Sequence, residues 1–191
     1  MKVSREQAAQ NRERILDAAA RLFRERGFEG IGVADTMKAA GLTHGAFYGH
    51  FSSKEDLIAQ ACDRAFSRSY ELLSKRAART PEDPLSSIAR GYLTPRHRDD
   101  PGTGCTLAAL GPDIARHGPG VRRAVTEGVR SALNLFSGLV SGKPEAARRQ
   151  KAISTYATLV GAMIMARAVD DPALSQEILD AVRASVSRSG A

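Results

Sequence analysis

Tryptophan is absent from the 191 residues, aromatic side chains make up only 5% of them, and there are two cysteines. With alanine and leucine recurring in runs broken by glycine and proline, so thin an aromatic content favours helices over strands. Cys62 and Cys105 have neither the number nor the spacing of a disulfide framework or a zinc site. No run approaches the roughly 18–20 apolar residues of a membrane span, since even the stretch from Tyr156 to Ala168 is short and contains Arg167. The basic start MKVSREQAAQNRER leads into no apolar signal core, so a soluble protein of the reducing cytoplasm, with no membrane partner, is expected. Glycine-rich phosphate loops, metal-ligand clusters and paired-carboxylate signatures are also missing, which argues against an enzyme and for no cofactor and no metal.

What is present is a 42% hydrophobic chain, enough for one larger domain or two small ones on a shared helical scaffold. The net charge of +7 and pI of about 9.8 favour a polyanionic partner. The excess is +4 over residues 1–80 and +3 over residues 81–191, so charge alone does not locate the contact.

From Glu6 to Arg26, Ile15, Ala18, Ala19, Leu22 and Phe23 recur at helical spacing, with Arg12, Arg14, Arg21 and Arg24 on other faces. Gly27 is placed for a left-handed C-terminal cap, and Phe28 can fold back on the helix. A short helix over Val33–Ala40 ends at Gly41, and a second one follows from His44 to His50 with Thr43 as N-cap. Two short helices around a glycine turn make a helix-turn-helix candidate. Ser52 then opens Ser-Ser-Lys-Glu, read as a capping box in which Glu55 reaches back, and the long helix it starts leaves no flexible linker. Residues 80–84 and 95–104 read as the clearest loops, with lesser breaks at 117–120 and 141–144, which divide the remainder into about five helices. The last two, 144–169 and 172–187, carry stripes through Ile153, Tyr156, Ala157, Val160, Gly161 and Ile164 and through Leu174, Ile178, Leu179, Val182 and Val186. From pattern alone these stripes serve an intrachain core or a dimer face equally well.

On the short helix, a rotation of about 100° per residue puts His44, Gly45, Tyr48 and Gly49 on one half and Ala46, Phe47 and His50 on the other. Glycines at 45 and 49 let the backbone approach a groove wall, while His44 and Tyr48 can bond to base edges or phosphates. Thr43 is both an N-cap and a candidate phosphate donor, and His50 suits a buried hydrogen bond. Phe47, Ala46 and Phe51 are expected to hold the turn against the first helix.

These residues carry a resemblance. Ile15-Leu-x-Ala-Ala-x-x-Leu-Phe23, Gly27-Phe28, Lys38-Ala-Ala-Gly-Leu42 and Phe47-Tyr-x-His-Phe-x-Ser-Lys-Glu-x-Leu57 together resemble the TetR/AcrR family of transcriptional regulators over about residues 8–68. The resemblance implies an all-α protein of about nine helices: an N-terminal three-helix helix-turn-helix domain (8–68) joined by a long helix to a ligand-binding and dimerisation domain (69–191). It implies a homodimer, commonly a repressor, that leaves a palindromic double-stranded operator when a small-molecule inducer binds. It also supports a phosphate role for Lys54 beside the N-terminus of the long helix. Two departures put contacts by the second helix in doubt: Ile31-Gly32 where the family usually has Thr-Ser or Thr-Thr, and Thr36 where an aliphatic residue is common. Lys2, Arg5 and Arg12 are candidates to compensate.

Beyond residue 68 the resemblance extends to architecture and names no inducer. Cys105 opens a helix after a glycine-containing loop, where a helix dipole favours a thiolate. Glycine-cysteine here resembles a branch of the family that includes electrophile sensors, so Cys105 is a ligand or redox-sensing candidate, with a small core hydrophobe as the plain alternative. The competing enzyme reading pairs Cys105 with His97 or His117 as nucleophile and base. A third reading is a helical interaction module without a ligand pocket.

Overall fold

The structure, a computed structural model, describes residues 4–140 and 144–189. Among them the chain forms nine α-helices, two short 3-10 turns and no strand: α1 (Arg5–Arg26), α2 (Val33–Ala39), a 3-10 turn (His44–Gly49), α3 (Lys54–Arg79), α4 (Pro84–Tyr92), α5 (Pro95–Asp99), a second 3-10 turn (Pro101–Thr103), α6 (Thr106–Arg116), α7 (Pro119–Leu139), α8 (Glu145–Ala168) and α9 (Pro172–Ser189). Lys2 and most of the break at 141–144 lie outside the described residues.

Start signals are chemical and legible. The Ser4 hydroxyl accepts the Gln7 N–H at 3.1 Å to begin α1, and proline occupies the first turn of α4, α5 and α7, where its missing N–H leaves no bond unmade. The box at α3 differs by one residue from expectation. Ser53, not Ser52, is the N-cap and accepts the Asp56 N–H, while the Asp56 carboxylate takes the N–H and hydroxyl of Ser52. The shorter acid does the capping, which releases Glu55 to point away. Those bonds to the charged form, led by the Ser52 N–H, hold the Asp56 carboxyl below its ordinary pKa.

The segment 95–104, expected as a loop, contains α5 and the second 3-10 turn. Thr94 caps α5 by accepting the His97 N–H at 3.1 Å. The proline and glycine that suggested irregular chain here act as helix punctuation.

Among the described residues two glycines have positive φ. Gly27 ends α1 at φ 75° but ψ 168°, outside the left-handed helical well, while its N–H still bonds to the Phe23 carbonyl at 2.8 Å. Phe28 does fold back, edge-on to Phe23 at 5.4 Å. Gly41 at φ 68° closes α2: the Leu42 N–H bonds to Met37 O and the Gly41 N–H to Lys38 O.

Apolar packing falls into two clusters. One joins Ile15, Phe23, Met37, Phe47 and Leu57 of the first 60 residues to Leu110 and Ile114 of α6 and Val121 and Val125 of α7. The other lies among the second half of α3, α4, α7, α8 and α9, around Ile88, Leu93, Phe136, Leu159 and Leu179. Helices α3 and α7 run through both. Their approach is close because position 128 is glycine: a Cβ there would sit 2.2 Å from the Phe66 ring. Gly128→Ala gains about 0.5–1 kcal/mol of helix propensity, but overpacking against a ring that cannot swing aside costs about 1–3 kcal/mol. Packing wins, and a net loss of about 1–2 kcal/mol is the expected result of chemical denaturation; a variant as stable as the parent contradicts the close approach.

Candidate nucleic-acid interface and ligand cavity

The segment His44–Gly49, expected as a DNA-reading α-helix, is a 3-10 turn. Two glycines in six residues give little α-propensity, and i→i+3 bonds such as His50 N–H to Phe47 O at 2.9 Å take over. The partition into faces nevertheless holds. Phe47 is 1% exposed and stacks on Phe51 at 5.7 Å, whereas Tyr48 is 71% exposed. Thr43, His44, Gly45 and Gly49 are exposed beside it, with the His44 and Tyr48 rings edge-to-face at 6.0 Å. Nothing lies within 4 Å of a Cβ built on Gly45 or Gly49, so both backbone positions are open to a close-fitting surface. Thr43 stands at the N-cap position, but its side chain makes no capping bond and its hydroxyl is left for another acceptor.

Lys54 is the first residue of α3, half-buried, with its Nζ 4.0 Å from the Glu29 carboxylate. Arg12, a candidate for a compensating phosphate contact, lies over the Phe51 ring at 5.2 Å and donates to the Gln60 side chain. It braces the turn. Of the residues that depart from the family pattern, Ile31 is buried and Thr36 is fully buried with its hydroxyl donating to Gly32 O at 3.2 Å, while Gly32 is exposed.

Arg24, placed by the sequence on an outer face of α1, is in fact 9% exposed. Its guanidinium donates twice to the Gly102 carbonyl, through Nε at 2.9 Å and through Nη2. Glu55 makes a second bridge, from the start of α3 to the α6–α7 turn: its carboxylate accepts the Gly118 N–H at 3.1 Å and pairs with the His117 ring at 3.1 Å, whose other side meets Phe28.

A cavity of about 510 Å³ opens between α3, the end of α4, α5 and the loop before α6, within the range of small-molecule sites. Cys105 lies on its wall as the N-cap residue of α6, buried and free. The thiol–imidazole dyad is not assembled. His97 Nδ1 bonds to Tyr92 O at 2.7 Å and its Nε2 accepts the Cys105 backbone N–H at 2.9 Å, so the lone pair a base needs is occupied. His117 is engaged with Glu55. Cys62 is different again: burial within α3 pushes its thiol up to about 12, against a smaller opposing pull from Arg24.

Sequence reasoning named Cys105 and His97 but missed the cavity's other polar residues. Arg76 sits on a helix whose charged positions look like a solvated face, and Tyr92 and Tyr156 occupy positions in apolar stripes. The only signal was Gly91, where a Cβ would lie 2.5 Å from Arg76 Nε: the glycine makes room for that side chain.

Among the described residues, no helix is long and apolar enough to cross a membrane. Residues 15–61 match the family described as "Bacterial regulatory proteins, tetR family". The chain is 39% identical over 85 residues to the HTH-type transcriptional regulator AcrR of Shigella flexneri, a stretch that is 44% of this chain and 40% of that protein. It is 33% identical over 90 residues to the transcriptional repressor AcnR of Corynebacterium glutamicum, or 47% and 44% of the two chains. The matched stretch thus spans less than half the length of these curated relatives. The fold extends further. The reduced form of E. coli NemR superposes with a TM-score of 0.78 at 24% identity over 94% of this chain and 96% of that one. A TetR-family regulator from Cytophaga hutchinsonii gives 0.79 at 20% identity over 99% and 98%. Residues 15–61 thus match the N-terminal domain of the tetR family of bacterial regulatory proteins, and the rest of the chain shares the helical fold of these solved structures.

Proposed function

We propose that the chain is a homodimeric repressor that holds a palindromic operator through residues 8–68 and releases it when residues 69–191 bind a small molecule. The observation that carries this reading is the pairing of exposed His44 and Tyr48 with open backbone at Gly45 and Gly49 on a turn anchored by buried Phe47. Such a turn presents donors, acceptors and bare backbone to a major groove. Thr43 and Lys54 supply phosphate contacts beside it.

Dimerisation is supported by an apolar strip left exposed among the described residues. Ile153 (47%), Ile164 (42%) and Met165 (57%) of α8 and Leu174 (42%) of α9 are exposed, while Tyr156, Leu179 and Val186 of the same helices turn inward. Ala157 and Gly161 lie on that outer side, small enough for a second copy of α8 to approach. The test is footprinting on the intergenic DNA beside the gene. Two protected half-sites about one helical turn apart, roughly 34–36 Å, are expected; protection of one unrepeated half-site by a monomer overturns the reading.

Transmission has a defined route. The residues that line the cavity at 103–105 follow Gly102, whose carbonyl Arg24 holds from α1. A ligand that displaces this loop strains the latch and re-aims the head. Arg24→Met keeps an apolar stem and deletes both donors. Its expected effects are a loss of about 1–3 kcal/mol from the orphaned carbonyl and an operator complex that no longer responds to inducer. Retained response with unchanged stability would remove Arg24 from the route.

A second reading concerns Cys105, favoured by its place on the cavity wall, where Cys62 is sealed in the α1–α3 core. N-ethylmaleimide is expected to add to Cys105 before Cys62 and to release DNA, and Cys105→Ser is expected to bind DNA and ignore the reagent. Intact-mass analysis alongside gel shifts decides this; full modification of Cys105 with unchanged DNA affinity leaves the residue as a piece of cavity wall.

A further inference from the structure

The cavity wall is electrostatically one-sided. Among the described residues Arg76 and Arg96 line it, and no aspartate or glutamate does. Among the described residues neither guanidinium forms an ion pair, and Asp100, which acts on Arg96 from outside the wall, is already engaged by the Thr103 hydroxyl at 2.6 Å. Arg76 is half-buried and lies across Gly91, and its loss of hydration pulls the guanidinium below its ordinary pKa. A desolvated guanidinium without a counter-ion is unfavourable until an anion arrives.

A second, independent observation points the same way. Tyr92 is 4% exposed and lines the cavity, and its buried hydroxyl meets no nitrogen or oxygen partner, with only the weakly bonding Cys105 thiol as its polar neighbour. Burial holds this phenol protonated far beyond neutral pH, and Tyr156 across from it is pushed in the same direction. Both are therefore donors. His97 adds no charge, since both its ring nitrogens are already bonded to backbone. The rest of the lining is apolar, with Leu73 buried and Leu72 at the mouth.

The geometry points to a site for a small organic carboxylate, its head held by Arg76 and the Tyr92 hydroxyl with Arg96 at the entrance, and its apolar body against Leu72, Leu73 and Tyr156. A planar guanidinium matches a carboxylate through two parallel bonds, which an amide of the same shape cannot reproduce. The apolar wall is unfilled by a bare oxyanion, so inorganic phosphate is a poor occupant. The inference rests on the inducer reading above for its biological use, but not for its chemistry.

The test is isothermal titration of the full-length protein with a panel of benzoate, phenylacetate, cinnamate and the straight-chain carboxylates from hexanoate to dodecanoate. Each is run beside its neutral primary amide, with inorganic phosphate as a separate arm. At least one carboxylate is expected to bind about tenfold or more tightly than its amide, and phosphate weakly or not at all. Arg76→Gln is expected to erase the preference for carboxylate over amide, Arg76→Lys to keep much of it, and Tyr92→Phe to reduce it with the protein still folded by circular dichroism. Equal binding of acids and amides, no binding by any acid, a preference that survives Arg76→Gln, or phosphate binding as well as the best acid each overturns the inference. Operator gel shifts with the same compounds separate the two ideas. Tight carboxylate binding with no loss of DNA leaves the site and removes the inducer reading. Release by the neutral amides alone does the reverse.

Discussion

Phe47→Ala is expected to lower stability by about 3–5 kcal/mol, the range for deleting a fully buried phenylalanine ring, and to take operator binding with it. The ring is 1% exposed, stacked on Phe51 and edge-on to Tyr48, so its removal leaves a cavity beneath the recognition turn. Against a total stability of about 5–15 kcal/mol for a typical domain, that is a large fraction. Tyr48→Ala, one residue along, removes a side chain that is 71% exposed and is expected to leave the melting temperature almost unchanged. It should instead weaken operator binding by about 1–3 kcal/mol if the hydroxyl meets a base edge. Thermal melts and gel shifts on the two variants separate packing from contact. Equal thermal losses, or unaltered DNA affinity in the folded Tyr48→Ala protein, would refute the assignment of faces.

Acidification should destabilise the body before it protonates the carboxylates. His97 is pulled down from an ordinary 6.5 to about 4, chiefly by burial; Arg167 and Arg76 add to this, while the Tyr92 carbonyl and Asp100 oppose it. Between those values the unfolded chain binds a proton that the native ring refuses, so stability is complete above pH 6.5 and falls as the pH drops towards 4. The effect is on the order of a few kcal/mol. Arg167 tightens the refusal by donating to the carbonyls of Arg98 and His97, at 3.0 and 2.6 Å, which fixes a second cation beside the ring. Denaturant midpoints measured from pH 7 to pH 4 should slope for the parent and flatten for His97→Gln. Parallel slopes would mean that His97 does not carry the acid sensitivity. The carboxyl of Asp56, held low by bonds to its charged form, contributes stability that is lost only at more acidic pH.

Much of this molecule is legible in its residues. The alternation of apolar and arginine positions in α1 fixes which side packs, the Gly41 turn requires a positive φ, and the two halves of the recognition turn separate at Phe47 and Tyr48 whether the rotation per residue is that of an α-helix or a 3-10 turn. The reading fails where a polar residue is used inside. Arg24 looks solvated because its acceptor, the Gly102 carbonyl, is 78 residues away and backbone carbonyls leave no trace in a sequence. Thr36 looks like a polar intruder at an aliphatic position because the back-bond to Gly32 that hides its hydroxyl in the core leaves no trace in the sequence. Glu55 was read as a cap because spacing ranks it equal to Asp56, and only the distance to His117 and Gly118 distinguishes them. The cavity's cationic lining is invisible for the same reason: Arg76, Tyr92 and Arg96 converge from three helices.

The first apolar cluster is completed by Leu110, Ile114, Val121 and Val125, which pack against α1 and α3 from far along the chain. On the proposed function, residues 8–68 are the part that would be grafted onto another protein's ligand-binding half. For this chain, a cut after residue 68 would strand the underside of the head on a foreign floor. A working hybrid must carry the α6–α7 corner with the head, or replace those four side chains in the recipient by the ones the head was shaped against.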